Sequence, residues 1–118
     1  VAGRQRQAAT GGLVEFRGEE DFERMLSEGD AWLVMFYAPW CAHCKAAEPD
    51  FQQAALQAPI HFARVDAVSH SDIAEREGVT GFPSFRAYAG GRFVKAYSGD
   101  RTVTAFLGFA KEVELLHY

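Results

Sequence analysis

The chain has 118 residues, of which 48% are hydrophobic and 24% charged, and a net charge of −4. One domain of ordinary size around a single core is the expectation. The acidic balance leaves no basic surface for nucleic acid, no apolar run is long enough to span a bilayer, and two cysteines in one Cys-x-x-Cys identify no compartment.

Residues 1–12 are polar, carry two arginines and end in Gly-Gly. They read as a flexible tail or linker, with a basic arm as the functional alternative. A start at Val1 without a signal-peptide pattern reads as an excised domain or mature fragment, and residues 13–118 read as the folded unit. Leu13 to Phe16 suits a short edge strand. Phe22, Met25 and Leu26 recur at helical spacing behind an acidic start, which predicts a helix from Glu19 to Glu28. Gly29-Asp30 then turns the chain. Residues 32–38 form a continuous apolar run, as in a strand buried on both faces, and Pro39 ends it because proline has no N–H to donate.

A second helix follows Cys41. Its apolar face runs through Cys44, Ala47, Phe51, Ala54 or Ala55, and Ala58, with a kink expected at Pro49 and an exit at Pro59. Residues 60–65 alternate well enough for another buried strand. Ser71 to Glu77 is a short helix stopped by Gly78. Ser84 to Ala89 and Arg92 to Tyr97 are strands joined by Gly90-Gly91, two residues that supply the positive φ angles of a tight hairpin. The last helix begins near Thr102, a plausible cap, and carries the stripe Val103, Phe106, Leu107, Ala110 and Val113. The order β-α-β-α-β-α-β-β-α, with helical crossovers and one hairpin, gives an α/β fold. Its expected form is a three-layer α/β/α sandwich around a central mixed sheet.

Chemistry concentrates at Cys41 and Cys44. Strand, proline break and helix start place Cys41 at a helix N-terminus, where unpaired backbone N–H groups favour negative charge. The thiolate is the reactive form of cysteine, so this position favours the nucleophile. Cys41 is expected at an exposed tip and Cys44 on the inward face. Both lie in one turn, within disulfide reach, and so small a loop gains little stability from a bridge. A reversible redox pair fits better than a structural staple. Structural zinc needs four ligands, and the four histidines add no second ligand pair, so no metal is expected.

The run Phe36-Tyr37-Ala38-Pro39-Trp40-Cys41-Ala42-His43-Cys44-Lys45 resembles the active-site run of a catalytic thioredoxin-type domain of the protein disulfide isomerase family, with Ala42 where Gly is common. Val65-Asp66-Ala67, Gly78-Val79-Thr80-Gly81-Phe82-Pro83-Ser84 and Tyr97-Ser98-Gly99-Asp100-Arg101-Thr102 also resemble family segments, in the same order. The resemblance extends over residues 13–116 and implies the thioredoxin fold. It implies Cys41 as nucleophile and Cys44 as the resolving thiol. His43, between them, suits an exposed helix position; as an imidazolium it favours the adjacent thiolate and makes the disulfide a stronger oxidant. Pro83 matches the family's cis-proline, so the backbone at Phe82 is placed to pair with an extended substrate, and Trp40 is a substrate contact. Arg101 matches an arginine that approaches the resolving cysteine, and a solvated place at a helix entrance suits it equally.

One position departs from the pattern. Family domains often carry a buried Glu six residues before the first cysteine; here Met35 stands there. Arg64 occupies the place of the Lys that pairs with that Glu, so it must find another acceptor or reach solvent. The activity implied is thiol–disulfide oxidoreductase and isomerase action on cysteines of secretory-pathway clients, without a bound cofactor. The resemblance also implies unfolded or misoxidised clients, glutathione or an upstream oxidase as partners, a larger multidomain chain and the endoplasmic reticulum lumen. The alternative is a client-binding or escort module of a larger chaperone with weak redox turnover.

Overall fold

A computed structural model describes residues 11–117; most of the tail expected over residues 1–12 lies outside the described residues. Nine elements follow in the predicted order: β1 (Leu13–Phe16), α1 (Glu19–Glu28), β2 (Trp32–Tyr37), α2 (Ala42–Ala55), β3 (His61–Asp66), α3 (Ser71–Glu77), β4 (Ser84–Ala89), β5 (Arg92–Tyr97) and α4 (Val103–His117). The strands form one sheet in the order β1-β3-β2-β4-β5.

The apolar run of β2 explains its central place. Successive side chains of a strand point to opposite faces. Leu33 and Met35 pack with Ala47 and Phe51 of α2 and Phe106 and Ala110 of α4. Val34 and Phe36 pack with Phe22 and Met25 of α1 and Ile73 of α3. Two helices thus cover each face, and only a strand apolar on both sides can sit between them. β2 pairs in parallel with β3 and antiparallel with β4, which makes the sheet mixed. This is the thioredoxin fold expected above.

Local signals set the ends of most elements. Gly29 and Gly78 close α1 and α3 in the left-handed conformation. Gly90 and Gly91 have φ of 66° and 83° and turn β4 into β5. The Thr102 hydroxyl accepts the Ala105 N–H at 3.1 Å and caps α4. The Asp50 carboxylate accepts the Val103 N–H at 3.1 Å, which ties the start of α4 to α2.

Four details differ from the sequence reading, and the first is that α2 ends at Ala55 with Leu56 as its cap, ahead of the exit expected at Pro59. β3 covers His61–Asp66, one residue later than expected, because its register is set by pairing with β1 and β2 on either side. β2 ends at Tyr37, since Ala38 turns back to accept the Cys41 N–H at 3.1 Å. Phe109 joins the buried stripe of α4 because its ring lies 4.7 Å from Tyr97, while Val103 and Leu107 are only half-buried. Pro49 sits within α2, and the helix continues through it to Ala55.

Candidate active site

Cys41 is the N-cap of α2. Its backbone is extended, with φ −83° and ψ 114°, and its sulfur accepts the Cys44 N–H at 3.2 Å. One of the orphan donors of the helix start is therefore satisfied by the thiol itself. A thiolate in that place receives the same N–H with greater strength, since hydrogen bonds to ions are the stronger kind. The Cys41 carbonyl accepts the Lys45 N–H at 3.1 Å, so helix and cap are continuous. Both cysteines are free thiols.

The expectation of an exposed Cys41 is corrected here. Cys41 is only 7% exposed, close to the 3% of Cys44. Turning its sulfur back to cap the helix hides it, and Ala38, Tyr37 and Phe82 pack around the pair. The exposed tip is Trp40 instead, at 70%. Its ring meets Phe82 edge-on, with centroids 6.1 Å apart. The Phe82–Pro83 peptide is cis, and it brings the loop before β4 alongside the thiols. The structure thus joins Trp40, Cys41, Cys44 and Phe82 in one cluster, with Pro83 next in the chain.

The surroundings of Cys44 favour its protonated form. Burial pushes the Cys44 thiol up to about 11, and its hydrogen bond with Cys41 adds to this. The Ala38 backbone and the positive charge of Arg101 act the other way. Arg101 is exposed, just before the start of α4, and its field reaches Cys44. His43 is likewise exposed, on the first turn of α2 between the thiols.

Met35 is 1% exposed and lies opposite Arg64 in the parallel β2–β3 pairing. The partners that Arg64 requires come from two other elements. Its Nε reaches Glu15 of β1 at 2.5 Å, and its Nη1 reaches Glu48 of α2 at 2.5 Å. The guanidinium also lies 4.8 Å from the centre of the Tyr37 ring, whose hydroxyl donates to Glu15 at 2.9 Å. Burial and the neighbouring Glu15 raise the Tyr37 hydroxyl to about 12, so it stays protonated at neutral pH. Sequence reading missed Glu48. The available signal was its spacing, four residues after Cys44 and so on the same helix face. Among the described residues no group of three or more His, Cys, Asp or Glu side chains is placed to hold a metal ion.

A dithiol capping the second helix of an α/β/α sandwich, next to a cis-proline loop, defines a thioredoxin-like redox domain. The chain belongs to the thioredoxin family, whose pattern matches residues 13–112. Within it, human protein disulfide-isomerase A4 is 39% identical over 79 residues, which is 63% of this chain and 12% of that protein. Chicken protein disulfide-isomerase is 38% identical over 94 residues, 68% of this chain and 18% of the relative. A thioredoxin from Halobacterium salinarum superposes with a TM-score of 0.79 at 25% identity, over 88% of this chain and 92% of that one. The domain is therefore related to the protein disulfide isomerases, and it spans only about an eighth to a fifth of the length of these curated relatives.

Proposed function

We propose that this domain exchanges thiols and disulfides with the cysteines of client polypeptides, as one module of a longer chain in the endoplasmic reticulum lumen. The observation that carries the reading is the Cys41 sulfur accepting the Cys44 N–H at the head of α2. This cap stabilises a sulfur anion at Cys41 and holds the second sulfur within the same turn.

In the oxidised state, a client thiolate attacks Cys41 and Cys44 leaves as the thiolate; a second client thiol then displaces Cys41, and the client gains the disulfide. In the reduced state, the Cys41 thiolate attacks a client disulfide and releases one client thiol. Cys44 then attacks Cys41, closes the domain disulfide and frees the other client thiol. Trp40 and Phe82 flank the nucleophile as the client contact, and the backbone at Phe82, just before Pro83, is offered to an extended client for strand-like pairing. Arg101 supplies positive charge that acts on Cys44, and His43 stands between the two cysteines on the first turn of α2.

Substitution of each cysteine separates these roles. Reduced Cys44→Ser, incubated with a client that carries a disulfide, accumulates a mixed disulfide seen on non-reducing gels; Cys41→Ser shows neither exchange nor trapping. Trapping by Cys41→Ser instead would reverse the assignment. Wild-type protein also reduces insulin, whereas an escort module protects clients without reducing them.

A further inference from the structure

Closing the Cys41–Cys44 disulfide requires Cys44 to lose its proton, and burial holds that proton firmly. No carboxylate rises from β2 to accept it, because Met35 fills that place. Beside Cys44, however, a cleft of about 160 Å³ opens between α2 and the sheet. Cys44 and Glu48 line one wall, and Met35, Tyr37 and Arg64 line the opposite one. Residues four apart on a helix lie on one face, with Cβ atoms about 5–6 Å from each other. The cleft is far larger than the ~15 Å³ that one water needs. Its walls offer polar partners at Glu48, Arg64 and Tyr37.

We infer that Glu48 is the proton acceptor for Cys44 in the resolving step, reached through water in this cleft, with Arg64 as the positioning residue that holds its carboxylate. The inference rests on the exchange reading above. The Cys44 Sγ–H gives its proton through water to the Glu48 carboxylate. The Cys44 thiolate then attacks Cys41 Sγ in the mixed disulfide. The Cys41–client S–S bond breaks, and the Cys41–Cys44 bond forms. The client sulfur leaves with the electron pair and takes a proton. The dithiol has lost two electrons to the client disulfide. Glu48 returns its proton to solvent, since its side chain is 34% exposed.

Arg64 makes this geometry specific. Its guanidinium is shared by Glu15 and Glu48, so the α2 carboxylate is anchored over the sheet beside Cys44 instead of extending into solvent. A proton acceptor on the helix thereby takes the place of one on the strand. The positive charge of Arg101 also acts on Cys44.

The test is single-turnover decay of the mixed disulfide between the reduced 118-residue chain and a fluorescent peptide with one internal disulfide, followed by acid quench from about pH 7 to about pH 10. Glu48→Gln keeps the shape of the side chain and leaves Arg64 paired with Glu15. It is expected to slow decay at pH 7 about a hundredfold, the lower end of the usual range of general-base effects. The gap should narrow as pH rises toward about 11, where Cys44 ionises without help. Glu48→Asp should recover part of the rate, and the first attack by Cys41 should be unchanged in both variants. Cys41 and Lys45 are common to all three proteins, and Tyr37 and Arg64 keep their protons over this range, so the ratio isolates residue 48. Equal decay at pH 7, or a drop of the same size at every pH, would overturn the role of Glu48 while leaving thiol exchange standing. Failure of the wild type to form any mixed disulfide would overturn both.

Discussion

Replacing Met35 by Glu tests how the core beneath the dithiol tolerates charge. Met35 is buried among Leu33, Ala47, Phe51 and Phe85 and also lines the cleft beside Cys44, and the cation nearest in register is Arg64. That cation already serves Glu15 and Glu48. A third carboxylate must draw Arg64 away from one of them or stay protonated. Burying a polar group without full compensation costs about 1–3 kcal/mol, and an unpaired charge costs more. The expected loss is about 3 kcal/mol at neutral pH.

The penalty depends on pH with a definite sign. Burial raises the carboxyl of the folded variant above its unfolded value of about 4.3. Relative to wild type, the variant is therefore least destabilised below about pH 4, where both states are protonated. The penalty grows as pH rises, by at most about 1.4 kcal/mol per unit for one group, and levels off above the folded value. Urea unfolding of both proteins from pH 4 to pH 8, under reducing conditions and followed by far-UV circular dichroism, measures the difference directly. In Met35→Glu/Glu48→Gln, Arg64 has one competitor fewer, so the penalty at pH 8 should shrink. A penalty that is the same at pH 4 and pH 8, or none at all, would refute the account of Met35 as a buried site with a committed cation.

Two further outcomes follow from the charges around the thiols. Arg101→Ala should raise the Cys44 thiol further, so that in a Cys41→Ser background Cys44 alkylates more slowly at fixed pH; the effect should fade at high salt, because the arginine is exposed. An unchanged rate at low salt would assign Arg101 to the helix entrance alone. His43→Pro removes an imidazole, whose protonated form favours a neighbouring thiolate, from the first turn of α2, a position where proline is tolerated, and should make the domain more reducing against glutathione. An unaltered equilibrium would leave the cap as the main device that stabilises Cys41.

Much of this architecture was legible locally. A continuous apolar run that ends at a proline suits a strand with helices on both sides, and β2 is that strand. Gly90-Gly91 has no good use except a turn with positive φ, and Gly78 ends α3 for the same reason. Pro39 and Cys41 mark a strand end and a helix start because a missing N–H and an orphan N–H are properties of single residues. The redox pair is likewise local, since both sulfurs lie within one turn.

What tertiary structure alone decided concerns groups brought together from distant parts of the chain. Arg64 needed a partner, but nothing near it in sequence named Glu15, 49 residues away, or Glu48, 16 residues away. They meet because β1 and β3 are neighbours in the sheet and α2 lies over them. The same is true of Cys41. Helical position predicts a sulfur at the tip, and burial depends on how a cis-proline loop from far along the chain closes over it. Periodicity records which face a side chain occupies. It does not record what the opposing element brings to that face, and that pairing determines both the cover on Cys41 and the carboxylate that shares a cleft with Cys44.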